Sequence, residues 1–382
     1  MSAHTPFVLR WGVIGAGWIA SEMTKDLVLD PSGREVTDVA HAVVAVASRS
    51  VDKAQAYIDE FCPDGGWAQK TGLYKEKPVA LGSYAELYAR EDVDLVYVAT
   101  PHTFHFEQAK DALEAGKNVL VEKPATLNAK ERSILSDLAK QKGVFLMEGV
   151  WTRFFPLAYK YQELLHKDKA IGEIRQIYAD FGMNFYDSLP DSHRLFNPEL
   201  AGGVQLDLGP YTILWALMTL YRHPDNKGAE PSRMVSSMLP HPRTGVDLFS
   251  TITLDWDNLP ARAQLTCNNA IATPKDVAIR VLGTTGSIII PPGASRPEKL
   301  TVRRYKKPAH PMLAPDWDEE VFNFPIQGFG LHWEADAVAR SIRDGEKENP
   351  RMPLHETALT MKLLDTWREQ VGYKYPAGLE KA

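Results

Sequence analysis

Phe7-Val8-Leu9-Arg10-Trp11-Gly12-Val13-Ile14-Gly15-Ala16-Gly17-Trp18-Ile19-Ala20 is the stretch whose reading decides the fold. The apolar run Phe7 to Ile14 predicts a buried strand, the glycines a tight turn, and the pattern through Leu29 a helix. Gly15-x-Gly17-x-x-Ala20 matches the dinucleotide fingerprint. Its first glycine makes the turn, its second lets backbone approach a pyrophosphate, and the small third residue packs helix on strand. The helix then turns its positive end toward the phosphates. Alone, such a pattern is weak; here it follows a strand, opens a helix and heads a series of βα units. Gly15, Gly17, Trp18, Ile19 and Ala20 are therefore candidate cofactor contacts.

Outward from the turn, apolar runs recur at Ala40–Ala47, Val93–Ala99, Asn118–Val121 and Val144–Met147, with helical patterns between them. Short continuous apolar strands alternating with helices indicate a parallel sheet buried on both faces. Residues 1–150 thus read as a doubly wound α/β Rossmann domain. The end of the second strand discriminates between nicotinamide cofactors, because an acid there binds a ribose 2′-hydroxyl and repels a 2′-phosphate. Ser48, Arg49 and Ser50 stand at that place, two hydroxyls and a guanidinium suited to phosphate and adenine. NADP is favoured, with NAD use left open and a solvated loop arginine as the plainer alternative.

Beyond Trp151 the rhythm changes. A helix from Pro156 and a strand at Ile174–Phe181 precede a helix from about Leu208 to Tyr221, followed by strand patterns from Met234 to Phe324 separated by Gly, Pro and Asn clusters. Residues 151–382 read as an α+β domain with a large, mostly antiparallel open sheet. Helices at His332–Arg343 and His355–Gln370 have the choice of either domain, and Pro-rich Lys306–Asp318 reads as a surface loop.

Composition narrows the function. The 382 residues carry 43 Lys and Arg against 49 Asp and Glu, a net charge of −6 that gives nucleic acid no hold. Two cysteines, Cys62 and Cys267, make neither a disulfide framework nor a zinc site. No apolar run spans a bilayer and no signal segment is apparent, so a cytoplasmic protein is expected. His102 and His105 lack carboxylate or cysteine partners at ligand spacing, and no metal is expected.

Two further words carry chemistry. Glu122-Lys123-Pro124 ends the fourth strand, where open α/β sheets place ligands, and a cis Lys–Pro bond would turn the ammonium toward the cleft. Gly202-Gly203-Val204-Gln205-Leu206-Asp207-Leu208-Gly209-Pro210-Tyr211 runs a glycine pair into a helix, on which Asp207 and Tyr211 would share a face. Helix capping by Asp207 and core packing by Tyr211 are the bland alternatives. Trp151, Arg153, Phe154 and Phe181 suit a sugar pocket, since pyranoses stack on aromatic rings, and suit a core equally well. His193 and Arg194 lie on a polar loop before the Asp207 helix. Phe329, Trp333 and Glu334 read as packing of a returning helix.

With Val96-Tyr97-Val98-Ala99-Thr100-Pro101-His102, Met147-Glu148-Gly149-Val150-Trp151-Thr152-Arg153-Phe154-Phe155-Pro156 and Asp191-Ser192-His193-Arg194, these words resemble the glucose-fructose oxidoreductase, inositol dehydrogenase and MocA family over nearly the whole chain. The chain looks closest to the branch holding dimeric dihydrodiol dehydrogenase and fungal NADP-dependent D-xylose 1-dehydrogenases. The resemblance implies Lys123 and Tyr211 as catalytic pair with Asp207 beside them, and many relatives have His in place of Tyr211. It also puts Pro101 and His102 near the nicotinamide ribose, with His105 opening the following helix; Thr100, Glu122 and Pro124 are further candidate cofactor contacts, and His193 or Arg194 could reach substrate hydroxyls. An ammonium near Tyr211 would favour the phenolate, which takes the hydroxyl proton while hydride leaves the same carbon. Which of the two carries the proton stays open. The expected activity is NADP-linked oxidation of an aldopyranose such as D-xylose to the lactone. Oxidation of trans-dihydrodiols or reduction of dicarbonyl sugars is the alternative within the class. A non-catalytic dinucleotide-binding regulator is the alternative outside it, disfavoured because both Lys123 and Tyr211 are present. The family also implies a homodimer through the second domain's sheet.

Overall fold

A computed structural model describes residues 5–306 and 313–382, and so leaves residues 307–312 of the expected Pro-rich loop outside the described residues. The chain forms two compact units, Met1–Phe154 with Ile326–Ala358 and Glu380–Ala382, and Phe155–Pro325 with Leu359–Leu379.

The first unit contains β1 (Phe7–Ile14), α1 (Trp18–Leu27), β2 (Val39–Ala47), α2 (Val51–Phe61), α3 (Trp67–Lys70), β3 (Val79–Leu81), α4 (Tyr84–Tyr88), β4 (Leu95–Val98), α5 (His105–Glu114), β5 (Asn118–Glu122), α6 (Ala129–Lys142) and β6 (Leu146–Gly149). All six strands are parallel, in the order β3-β2-β1-β4-β5-β6. Val39 to Ala47 is buried at every position, as burial on both faces demands. Local chemistry sets the helix ends. Ser50, Ser83 and Asn128 accept backbone N–H bonds at the starts of α2, α4 and α6, and Gly143 ends α6 in the left-handed region at φ 65°. Strand order reverses between β1 and β4, and the carboxyl ends there form the crevice where doubly wound folds take ligands.

The second unit contains α7 (Pro156–Gln162), β7 (Ile174–Gly182), α8 (Val204–Asp207), α9 (Gly209–Ala216), β8 (Arg233–Pro240), β9 (Asp247–Trp256), β10 (Ala261–Asn268), β11 (Ile279–Gly283), β12 (Gly286–Ile290), β13 (Lys299–Tyr305) and β14 (Trp317–Asn323). Its eight strands run β14-β13-β12-β11-β7-β10-β9-β8, antiparallel except where β7 meets β10. The wholly buried, apolar α9 covers one face at β7 and β10. Along β10, Ala261, Ala263, Leu265 and Cys267 point inward while Arg262 and Gln264 point out. Register aligns Val235, Thr253, Gln264, Tyr178 and Arg280 in one row on the other face, with Val235 and Tyr178 exposed. Two helices close the chain, α10 (His332–Arg343) in the first unit and α11 (Leu354–Gln370), which starts in the first and ends in the second.

Candidate active site

Gly15 has φ +95°, and a Cβ there would sit 2.6 Å from the Ala99 carbonyl oxygen, so only glycine fits the turn. A Cβ on Gly17 would meet nothing within 4 Å, and Gly17 gives α1 no side-chain cap. An open backbone approach at an uncapped helix start fits a pyrophosphate. At the end of β2, Ser48 is buried and Arg49 is exposed, close enough to the Tyr84 hydroxyl to act on it electrostatically. The Ser50 hydroxyl is engaged as the α2 cap, accepting from Lys53 N–H at 3.3 Å.

Lys123 follows β5 half-buried, and its bond to Pro124 is cis. Glu122, expected at the cofactor, is the last residue of β5 and is buried. Its carboxylate accepts from the Tyr97 hydroxyl at 2.5 Å and from Lys123 N–H at 3.2 Å, and burial pushes its pKa up against those bonds. His105 is buried, with Nδ1 2.8 Å from the Pro124 oxygen and Nε2 2.8 Å from the Thr100 oxygen. Burial pushes its pKa down to about 4, and a neutral ring donates from one nitrogen only, so one of these two contacts is its hydrogen bond and the other a close approach. The Thr100 hydroxyl bonds Gln108 at 2.5 Å, and His102 is buried beside them.

Trp151 and Phe154 lie in a short helical turn after β6, both buried. Trp151 stacks on Phe329 with centroids 4.9 Å apart and planes 5° from parallel. Arg153, expected at the substrate, has its guanidinium inside the first unit, 2.6 Å from Glu356 and 3.1 Å from the Arg351 carbonyl.

In the second unit, Pro210 breaks the single helix that the spacing predicts. Lacking an N–H, it ends α8 at Asp207 and sits in the first turn of α9, so Asp207 and Tyr211 come from two helices. Arg194 bonds Asp207 at 3.2 Å, and the Tyr211 ring, 6% exposed, packs edge-on against Phe181 at 5.6 Å. His193 Nδ1 accepts from Leu195 N–H at 3.3 Å, and burial with Arg194 lowers its pKa.

Sequence reasoning missed the groups that hold these segments. Asp247 is buried and accepts from Val204 and Gln205 N–H at 3.0 and 2.7 Å and from Ser250 at 3.0 Å. A Cβ on Gly203, φ +116°, would fall 1.8 Å from the Asp247 carboxylate, which is why the glycine pair is there. Glu148 holds Ala125 N–H at 3.0 Å, one residue past Pro124. Glu334 is fully buried with neither oxygen hydrogen-bonded; burial, then Glu122 and Glu148, push its pKa well up. No local signal marks Asp247, which lies 43 residues from the amide it caps. Among the described residues no His, Cys, Asp and Glu grouping suits a metal ion, and no helix is long and apolar enough to cross a membrane.

A doubly wound sheet with this turn, joined to an open antiparallel sheet, defines a two-part dinucleotide-dependent oxidoreductase. The chain belongs to the GFO/IDH/MocA family: residues 9–150 match the oxidoreductase family with an NAD-binding Rossmann fold, and 161–289 match the GFO/IDH/MocA C-terminal domain. It is similar to a D-xylose 1-dehydrogenase (NADP(+)) of Hypocrea jecorina, 37% identical over 98% of this chain and 95% of that one. It is also similar to a trans-1,2-dihydrobenzene-1,2-diol dehydrogenase of Danio rerio, 34% identical over 96% and 98%. Among solved structures, a 3-ketoreductase from Actinomadura kijaniata in complex with NADP and TDP-benzene superposes with TM-score 0.75 at 26% identity, covering 95% of this chain and 98% of that one.

Proposed function

We propose that the protein is an NADP-dependent aldose dehydrogenase that oxidises the anomeric hydroxyl of D-xylose or a similar pyranose to the lactone. The end-to-end likeness to the NADP-linked xylose dehydrogenase carries this reading. Arg49, exposed at the end of β2 where NAD enzymes carry an acid, supports the 2′-phosphate. NADP supplies, when bound, a nicotinamide C4 that accepts hydride. Gly15, Gly17 and the start of α1 would hold its pyrophosphate, with Trp18, Ile19 and Ala20 in that first turn and Thr100, Pro101 and His102 toward its nicotinamide end. Lys123 donates a hydrogen bond to the reacting oxygen, and Tyr211 takes the hydroxyl proton as the carbonyl forms. Asp207, held by Arg194, orients the Tyr211 segment, while Trp151, Phe181 and His193 bound the sugar. His105 and Glu122 act on Lys123 from behind, through Pro124 and the Lys123 amide. Arg153 and Phe154 support Trp151 from within the fold. We further read the row from Val235 to Arg280 as a homodimer face, because exposed apolar side chains on an open sheet associate. With both cysteines reduced and buried, the cytosol suits the chain.

A second reading, oxidation of trans-dihydrodiols, is favoured by the vertebrate relative. Initial rates of NADP and NAD reduction with D-xylose, D-glucose, L-arabinose and trans-1,2-cyclohexanediol separate the two. Fast NADP-linked pentose oxidation supports the aldose reading, and activity on the diol alone replaces it with the second. Unchanged turnover in Lys123→Met or Tyr211→Phe refutes the mechanism under either.

A further inference from the structure

We propose that the first unit binds one internal water molecule among Arg132, Ser136, Glu148 and Thr357, and that this water holds the Glu148 carboxyl on the Ala125 amide, two residues from Lys123. The positioning role rests on the reading of Lys123 as catalytic, whereas the site stands without it. Three elements meet beside β5. On α6, Arg132 and Ser136 are four residues apart and share a face. On the first turn of α11, Leu354 and Thr357 share a face in the same way. Glu148 comes from β6, which is buried along its whole length. Arg132 Nη2 donates to the Leu354 carbonyl and so ties α6 to α11. Between these groups lies a cavity of about 10 Å³, measured as the space open to the centre of a water-sized sphere. By that measure one water needs about 10–15 Å³.

The wall of this small space is polar at four points. Arg132 Nε, Ser136 Oγ, Glu148 Oε2 and Thr357 Oγ1 are buried atoms without a hydrogen-bond partner. Buried polar groups are otherwise paired, and four orphans around one cavity call for a common partner. The Thr357 hydroxyl is near enough to favour the Glu148 carboxylate form without bonding it. Water fits the set. Its oxygen accepts from Arg132 Nε–H and from one hydroxyl, and its two O–H groups donate to Glu148 Oε2 and to the other hydroxyl oxygen. An ion does not fit, because a cation would face the Arg132 guanidinium and an anion the Glu148 carboxylate where charge is poorly screened. Glu148 Oε1 meanwhile accepts from Ala125 N–H at 3.0 Å. A carboxyl bonded at one oxygen can swing; bonded at both, it is fixed. The water therefore sets how firmly the segment after Lys123 is held.

A crystal structure of the full chain tests the site. One ordered water within about 2.7–3.2 Å of at least three of the four atoms is expected. An ion in its place, a dry cavity, or side chains that turn to bond one another and close the space overturns the proposal. Two substitutions test the positioning. Ser136→Ala leaves the water its room and three partners, whereas Ser136→Val fills the space with methyl groups. Hydrogen exchange at the Ala125 amide should quicken about tenfold or more in Ser136→Val and stay within about threefold of wild type in Ser136→Ala. In the same order kcat should fall, with the KM for NADP held within about twofold. If Ser136→Val does not fold, Ser136→Ala combined with Thr357→Val leaves the water two partners and should quicken exchange instead. Equal quickening in Ser136→Ala and Ser136→Val assigns the effect to the lost hydroxyl, and unchanged exchange in every variant removes it altogether; either overturns the positioning. Wild type that oxidises no substrate refutes the proposed function, and the crystal and exchange results then decide the water site alone.

Discussion

Replacing Arg153 by Met separates a strut from a substrate contact. The guanidinium lies 2.6 Å from Glu356, with both side chains only 2% exposed, and it donates to the Arg351 carbonyl while the Arg351 guanidinium returns a bond to the Arg153 carbonyl at 2.7 Å. Its charge also stabilises the buried carboxylate of Glu148. Met fills much of the volume but removes the 2.6 Å ion pair of the buried Glu356, a loss of the class that costs about 3–5 kcal/mol. For a unit of this size each kcal/mol moves the midpoint by about 2–4 °C, so the first unit's transition should fall by about 6–20 °C. Glu356→Leu in the same chain removes the carboxylate, and the double variant should recover most of the loss, since an apolar pair of similar volume replaces a buried ion pair at little or no cost. Calorimetry on the single and double variants reads the coupling directly. KM for D-xylose in the double variant should stay near that of wild type. A single variant that loses under about 1 kcal/mol, together with a double variant whose KM stays high, would show that Arg153 binds substrate and that the strut argument is wrong.

Arg49→Asp should raise the KM for NADP about tenfold to a hundredfold while leaving that for NAD nearly unchanged, because a charge-assisted phosphate bond becomes a repulsion; equal losses would remove Arg49 from 2′-phosphate recognition. Lys123→Met and Tyr211→Phe should each lower kcat by about a hundredfold to ten-thousandfold with little change in melting temperature, read by single-turnover NADPH fluorescence. Burial pushes Asp247 up to about 7, so the folded state holds a proton that the unfolded chain releases near pH 4. Its contribution is complete below about pH 4 and lost as pH rises through about 7, up to about 4 kcal/mol, and denaturant titrations should show a flatter pH dependence in Asp247→Asn. His105→Phe should depress kcat far more than NADP affinity, because the ring sits between the Thr100 oxygen after β4 and the Pro124 oxygen next to Lys123; a selective loss of NADP affinity would return His105 to the cofactor.

What was legible in the sequence was what is local. The Gly15 to Ala20 turn carries its meaning within a few residues, since a positive φ at Gly15 and an uncapped helix start are properties of the turn itself. The all-buried β2 announces itself by having no polar alternation. The Asp207 and Tyr211 spacing misled because helical periodicity was read through Pro210, whose missing N–H divides the segment. The bond from the Tyr97 hydroxyl to Glu122 was not legible, because it joins residues 25 apart on neighbouring strands. Asp247 and Asp26 were invisible because each acts on backbone amides far along the chain, and backbone amides leave no mark in a sequence.

The same distance logic implies that the stretch matched by the Rossmann family, residues 9–150, leaves buried contacts of the first unit unmade. Asp26 ends its interactions on the amides before α10, and Arg34 and His41 end theirs on Asp336, at 2.8 and 2.9 Å. Burial alone would raise the Asp336 carboxyl, but Arg34 and His41 together hold it well below the usual carboxylate range. Trp11 completes the chain of bonds by donating to His41 at 3.1 Å, which ties β1 and β2 to α10. Cut after Phe154, the chain would strand the Asp26 carboxylate and the Arg34 guanidinium beside apolar surface that α10 no longer covers. Each loss belongs to the class that costs several kcal/mol, against a total stability of about 5–15 kcal/mol for a domain. The nucleotide-binding half is therefore finished only when the chain has passed through the second unit and come back, and Glu334, Phe329 and Glu356 are delivered to it by that return.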